Sequence, residues 1–361
     1  MKDLWLRMAN LQLPPRLGVD LLEYFGNPEE IFNASEGHIL SVKGMTDRFS
    51  MRVLDSSYAP DSSQLNFMSR ENINVISWLD QNYPQSLRTI PDPPPLLFVR
   101  GRMDEKDRFA VALVGSRQAS PYGRSVTSRF AKELAGAGLT VISGGAIGID
   151  AIAHQEAIRA NGRTLIIHGC GLDIPYPREN VSIFEKVVER DLGALITEFP
   201  PGAQPEPWRF PMRNRIISAL AMGVVVVEAG DRSGALLTAS IASEQGKEVM
   251  AVPGNIDRPG SCGTNALIRD GAALVTTVQD ILNTLGILVL ERPKEMEQGA
   301  GSQLPPLQKK LVGLLSLTPK HIDTLSAEAG VSTVDAGVQM TLLEMDGLVR
   351  RLPGNCYIRI L

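Results

Sequence analysis

The chain has few cysteines, no long apolar run and no surplus of positive charge, and each shortage excludes something. Its three cysteines, Cys170, Cys262 and Cys356, lie far apart in 361 residues. An odd number at spacings that fit no zinc site argues against a disulfide framework and for a reducing compartment. The longest near-apolar run, Ile216 to Val227, falls short of the roughly 20 residues that a bilayer span takes. No basic stretch followed by an apolar one opens the sequence, so no signal peptide is read. The expected location is cytoplasmic, with no membrane insertion. Net charge is −4, so any nucleic-acid site must be a local concentration of arginine and lysine. There is no Gly-x-Ser-x-Gly elbow, no Walker lysine and no His/Cys metal spacing. No catalytic residue, cofactor or metal is therefore expected.

What the chain does have is a repeated strand–turn–helix pattern. Between about residues 70 and 285, short apolar runs alternate with amphipathic helical stretches. The expected strands are 74–77, 96–99, 109–114, 140–143, 164–168, 194–198, 223–228, 248–252 and 273–276. Unbroken apolar runs of this kind suit parallel strands buried on both faces. Repeated β-α-β units make a doubly wound α/β sheet, whose ligand crevice lies at the carboxyl ends of the strands. Residues 1–65 read instead as a separate domain of short helices. Within it, Leu40–Thr46 resembles the hairpin of a helix-hairpin-helix unit, with Thr46 where a second glycine usually stands. The polar, Gly- and Pro-rich stretch 287–305 reads as a linker. Three helices and a two-stranded ribbon follow over 306–361, the pattern of a winged helix. Its recognition-helix candidate, Thr333–Met340, carries Asp335 and no lysine or arginine, which points to a protein-interaction or structural role over DNA reading.

Candidate chemistry gathers at the strand ends. Gly115-Ser116-Arg117 and Ser143-Gly144-Gly145 are small-residue turns between strand and helix, a geometry that aims backbone N–H groups at an anion. Arg117 adds a planar cation suited to phosphate. In Trp208-Arg209-Phe210-Pro211-Met212-Arg213-Asn214-Arg215, cations interleave with aromatics. Single-stranded nucleic acid needs that combination, charge for its phosphates and rings for its bases. Arg213 and Arg215 are expected to supply charge, and Phe210 or Trp208 the stack. Asp150 is expected to cap the following helix, with His154 one turn on as a hydrogen-bonded helix histidine rather than half of an acid–base pair. Glu198 and Glu228 are expected to pair with arginines rather than to ligate magnesium.

A family resemblance rests on motifs in order: Gly115-Ser116-Arg117, Ser143–Asp150, Gly169-Cys170-Gly171-Leu172-Asp173 with Tyr176-Pro177 and Asn180, and Thr197–Pro201. Phe210–Ile217, Glu228-Ala229 before Arg232–Leu236, Glu244–Val249 and Ala251–Ile256 complete the set. The chain resembles the bacterial DNA-processing protein A family (DprA, also called Smf). The resemblance implies an extended Rossmann-like domain over 66–286, between N-terminal sterile-alpha-motif-like helices and a C-terminal winged helix. It implies non-enzymatic binding of single-stranded DNA without sequence preference, and a homodimer formed through the Rossmann-like domain, with 235–276, including Leu267 and Ile268, as the expected surface. It further implies partnership with the recombinase RecA, loaded onto DNA coated with single-strand-binding protein during natural transformation. By the same resemblance Arg117 belongs to a phosphate pocket, Phe210 stacks a base, Arg163 is a basic DNA contact, and Asn214 and Arg232 join the binding set.

Two other readings remain. The lysine-decarboxylase-like Rossmann hydrolases share a Gly-rich turn, but their Pro-Gly-Gly-x-Gly-Thr-x-x-Glu motif is absent at Asp231–Thr238. A winged-helix transcription regulator is disfavoured by six Lys/Arg against five Asp/Glu in 307–361.

Overall fold

The computed structural model describes residues 2–287, 304–316, 319–346 and 348–359. Two compact units divide them, one made of 2–119 with 130–287 and the other of 120–129 with the described residues from 304 onward.

Six helices open the first unit: α1 (Lys2–Asn10), α2 (Pro15–Phe25), α3 (Pro28–Asn33), α4 (Glu36–Leu40), α5 (Asp47–Leu54) and α6 (Ser62–Arg70). Their ends follow local chemistry. Pro15 and Pro28 begin helices where a missing N–H costs nothing, and Gly26 closes α2 in the left-handed region. Thr46, the residue in place of the hairpin's second glycine, accepts the Phe49 N–H and caps α5. The positive φ falls on Gly44 instead. These helices do not form a core of their own: Leu11, Leu21, Leu22 and Val53 share one cluster with Leu97, Ala112 and Val224 of the sheet. The expected boundary at 65/66 falls inside α6.

Nine strands make the sheet: β1 (Asn74–Ser77), β2 (Leu96–Gly101), β3 (Ala110–Gly115), β4 (Thr140–Ser143), β5 (Thr164–Ile167), β6 (Gly193–Thr197), β7 (Gly223–Glu228), β8 (Glu248–Ala251) and β9 (Ala273–Leu274). Their order is β1-β2-β6-β5-β4-β3-β7-β8-β9. From β6 to β9 every pairing is parallel, whereas β2 runs antiparallel to both β6 and β1. The sheet is therefore a Rossmann-like doubly wound fold with an antiparallel extension. Glu198 and Glu228 follow or end β6 and β7, which three strands separate. Between β3 and β7, where Leu113 lies opposite Val225, the winding changes direction. Helices α7 (Gln85–Arg88), α8 (Pro121–Gly136), α9 (Ile149–Arg159), α10 (Val181–Glu189), α11 (Arg209–Leu220), α12 (Gly234–Glu244), α13 (Cys262–Arg269) and α14 (Val278–Thr284) accompany the strands. Right-handed crossovers put α9 and α11, which both touch β3, β4 and β5, on opposite faces. A crevice opens at the carboxyl ends of the strands where those two halves part.

The expected linker lies almost wholly outside the described residues. The C-terminal unit contains α15 (Pro306–Leu314), β10 (Lys320–His321), α16 (Ile322–Ala329), α17 (Thr333–Met345), β11 (Val349–Leu352) and β12 (Cys356–Arg359). Leu311, Leu325, Met340 and Leu343 centre its separate core. This is a winged helix with a third, two-residue strand, β10, paired to β12, too short to leave a sequence pattern.

Candidate nucleic-acid interface

Two adjoining cavities occupy the strand-end crevice, of about 510 Å³ and about 410 Å³. Both are bordered by Arg117, Phe210 and Arg213, from the turn after β3 and the first turn of α11. The larger continues along Ser116, Asn214 and Arg232, and the smaller along His168, Tyr176 and Arg178.

The Phe210 ring is half-buried and lies against Gly169, where an added Cβ would come within 2.8 Å of its Cδ1. Tyr176 stands beside it, ring centroids 5.6 Å apart. The Arg117 guanidinium lies 5.8 Å from the centre of the same ring. Phe210 is thus held on one side and open to the cleft on the other. Arg117, Arg178 and Arg232 are exposed, and among the described residues none of the three has an ion pair. Glu179 and Asp231 also border the cavities, so the free positive charge is concentrated on three side chains rather than spread along the walls.

Several expected anion contacts have other occupations. The Gly144 N–H, like that of Ala146, donates to the Asp150 carboxylate, at 3.1 and 3.4 Å. That carboxylate sits where the sequence suggested a phosphate, and it does not cap α9. Burial raises its pKa above the ordinary range, against the opposing pull of the Arg213 charge and its N–H donors. The Ser116 N–H donates to the Glu228 carbonyl at 2.8 Å, and the Ser143 hydroxyl to the Leu113 carbonyl at 2.6 Å. Gly144 is glycine for a different reason: a Cβ there would lie 2.5 Å from the Arg213 Nη2. The buried Arg213 passes over it to donate to the Gly144 and Ile167 carbonyls, joining the ends of β4 and β5. Burial lowers Arg213 to about 10, still protonated near neutrality. It forms the cleft wall, with Asn214 Oδ1 accepting from its Nε at 3.3 Å.

Arg215 leaves the site altogether. It is buried and donates to Glu198 at 2.6 Å and Asp92 at 2.9 Å. Arg163 precedes β5, at the amino ends of the strands, and binds Asp107 through two 2.8 Å hydrogen bonds. Trp208 projects into a different groove, with Phe199, Met8 and Arg48. There the Arg209 guanidinium lies 5.0 Å from both the Trp208 and Phe199 rings. His154 bonds Thr164 through Nδ1 at 2.7 Å, not Asp150. Because Thr164 gives its own proton to the Val141 carbonyl, His154 is the donor. Gly115 stays glycine because a Cβ would meet Ile149 and the Glu228 carbonyl.

Sequence reasoning missed Tyr176 and Arg178 as cleft residues. Their signal was positional, since they lie in the loop after β5, at the same carboxyl edge of the sheet as the Arg117 turn after β3. Asn180 fixes their loop by donating to the Gly145 and Ala146 carbonyls at 2.9 and 3.0 Å.

Comparison with known proteins gives this geometry a context. Residues 74–286 match the model of the DNA recombination-mediator protein A family, and 295–355 that of the DprA winged helix domain. Protein Smf of Escherichia coli is 36% identical over 339 residues, spanning 91% of this chain and 89% of that protein. The DNA processing protein DprA of Bacillus subtilis is 40% identical over 217 residues, 60% of this chain and 72% of that one. The crystal structure of DNA processing protein A from Streptococcus pneumoniae superposes with a TM-score of 0.65 at 34% identity, covering 77% of this chain and 95% of its own. A Helicobacter pylori DNA processing protein A, described for its single-stranded DNA binding mode, gives 0.53 at 30% identity, covering 60% and 97%. The chain belongs to the DNA recombination-mediator protein A family.

Proposed function

We propose that this chain binds single-stranded DNA along the strand-end crevice and serves DNA processing in transformation as a mediator rather than as an enzyme. One observation carries the reading: three arginines with no ion pair among the described residues border the two cavities that meet at the half-buried Phe210. Phosphates lie along Arg117, Arg178 and Arg232, while a base stacks at Phe210, with Tyr176 beside it. Such contacts ignore base identity, since every base offers a face to stack on. Ser116 and Asn214 shape the channel and Arg213 holds its wall, whereas Gly145 faces Ile166 and Phe184 of the core. The family name and the Helicobacter pylori relative's single-strand binding support the same reading.

The non-enzymatic part is supported by what the acidic and imidazole groups do. Asp150, His154 and Glu198 are all engaged in buried internal hydrogen bonds. These three are occupied in holding the fold, which counts against a hydrolase built on them. Loading of RecA onto strands coated with single-strand-binding protein, and a homodimer through the Rossmann-like domain, belong to the same proposal and rest on the family resemblance alone.

Arg117 tests the reading most directly. On a single strand each neutralised phosphate contributes a slope of about −0.7 to log affinity against log salt. Arg117→Ala should weaken binding to oligo-dT and to mixed-sequence strands alike and flatten that slope by roughly 0.7. Fluorescence anisotropy across a salt series reads both. An unchanged dissociation constant in the folded variant removes Arg117 from the site. Release of base or phosphate from a mononucleotide by the wild type would favour the hydrolase.

A further inference from the structure

The helix that a winged helix ordinarily lays into DNA is, in this chain, an apolar surface edged with acid. On α17, Val334, Val338, Leu342 and Met345 are 76, 55, 43 and 80% exposed. Their spacing of four, four and three residues keeps all four on one side of a helix. The opposite side carries Ala336, Met340 and Leu343, each 0% exposed in the domain core. The outward stripe is therefore not a displaced core face. It runs for about three turns, roughly 16 Å. Asp335 and Asp346 border it on one flank and Glu344 on the other, all three exposed. No lysine or arginine occurs between 333 and 346.

We propose that α17 docks a basic amphipathic helix of a partner protein. Large apolar side chains standing together in water mark an interaction surface, and an amphipathic helix covers such a stripe with its own apolar face. Charge decides the occupant. A DNA backbone would meet Asp335 at the helix start, where a reading helix places donors and cations. A second α17 lying antiparallel would bring Asp335 beside the other copy's Glu344 and Asp346, like charge against like. A helix with apolar residues at three- and four-residue spacing, flanked by lysine or arginine, satisfies both the stripe and its edges. This surface is independent of the strand-end cleft.

The experiment uses the full chain and a fluorescein-labelled synthetic peptide of about four helical turns, leucines on one face and lysines on both flanks. A twin peptide carries glutamate for lysine. Anisotropy should show saturable binding of the basic peptide and none of the acidic twin. Val338→Glu/Leu342→Glu should weaken the basic peptide roughly tenfold or more. The direction is diagnostic: two added carboxylates would strengthen a purely electrostatic contact, so a loss comes from the apolar stripe. Asp335→Asn/Asp346→Asn, which leaves the stripe intact, should weaken binding and reduce its salt dependence. Oligo-dT affinity should not change in either variant. Equal peptide affinity in wild type and Val338→Glu/Leu342→Glu overturns the proposal. Displacement of the peptide by duplex DNA gives the surface to nucleic acid, and a halved sedimentation mass in that variant gives it to a second copy; either result overturns it too.

Discussion

Arg117 and Arg213 border the same cavities, yet their surroundings give them opposite tasks. Arg213 is buried, and its N–H groups are directed at carbonyls that would otherwise face each other across the ends of β4 and β5. Removing one partner of a buried charged hydrogen bond leaves the other desolvated and unpaired, so such residues hold structure. Arg117 is exposed, lies 5.8 Å from the centre of the Phe210 ring and has no ion pair among the described residues, so its charge remains available to a ligand. Phe210 lies between the two. Its seat on Gly169 limits ring motion, so little side-chain freedom is lost when a base arrives. Phe210→Ala should cost roughly 1–3 kcal/mol of single-strand affinity, with the salt slope near wild type because stacking releases no counterions. Phe210→Trp should keep most of the binding. Anisotropy titrations at several salt concentrations, beside thermal melts, separate stacking from folding. A large drop in melting temperature with affinity intact in the folded fraction would assign the ring to the core.

Among the elements, the nine strands were legible because most are apolar runs between turn signals. The direction of β2 was not, since antiparallel pairing with β6 at one side of the sheet leaves no mark on a strand buried on both faces. At the strand ends, Gly144 shows why the site was only partly readable. A glycine making room for a phosphate and one making room for Arg213 look identical in sequence. Arg117 and Phe210 were both expected at the strand ends, and they border the same cavities because a residue just after a strand and one in a first helical turn converge at that edge. The pairing of Glu198 with an arginine was expected and falls on Arg215, but Asp92 on Arg215 and Asp107 on Arg163 come from distant segments and were not. Element packing also fixes a response to pH. His154 on α9 is buried against β5, and burial lowers its pKa to about 3, from an ordinary value near 6.5. A group depressed on folding in this way binds its proton first in the unfolded chain. Stability is fully present above about pH 6.5 and falls as the pH drops toward 3. His154→Asn keeps an N–H for Thr164 and cannot titrate. Its stability should fall less steeply between pH 6 and 4, by up to about 1.4 kcal/mol per pH unit. Asp150 and Glu198, raised by burial, act in the opposite sense but are common to both proteins and cancel. Denaturant melts across that range give the two slopes, and superimposable slopes would remove His154 from the account.

At the scale of the whole molecule, if an acidic chain holds single-stranded DNA at a few arginines as proposed, pairing two copies would lengthen the binding track. The sheet offers a place for it. β9 is its last strand, two residues long, and its outer backbone is unpaired with any described strand. Such an edge invites pairing unless something covers it. Leu274 on that strand is 52% exposed and Ile256, in the loop after β8, is 93% exposed. Leu267 and Ile268, the residues that the sequence pointed to, are a poorer probe. Both are half-buried and Leu267 packs against the main core, so placing glutamate there would disturb folding before it parted two chains. Ile256→Glu/Leu274→Glu is the better variant because neither residue carries the core. Sedimentation equilibrium of the wild type at micromolar concentration should give twice the chain mass, and the variant should give the chain mass with an unchanged circular dichroism spectrum. The parted chain keeps its own Arg117 and Phe210, so a short oligo-dT that fits one cleft should bind it as before. A long oligo-dT should bind more weakly, because the second cleft no longer contributes at high effective concentration. A wild type that stays monomeric at every concentration would end the dimer proposal, and a variant that remains dimeric would move the contact away from this edge.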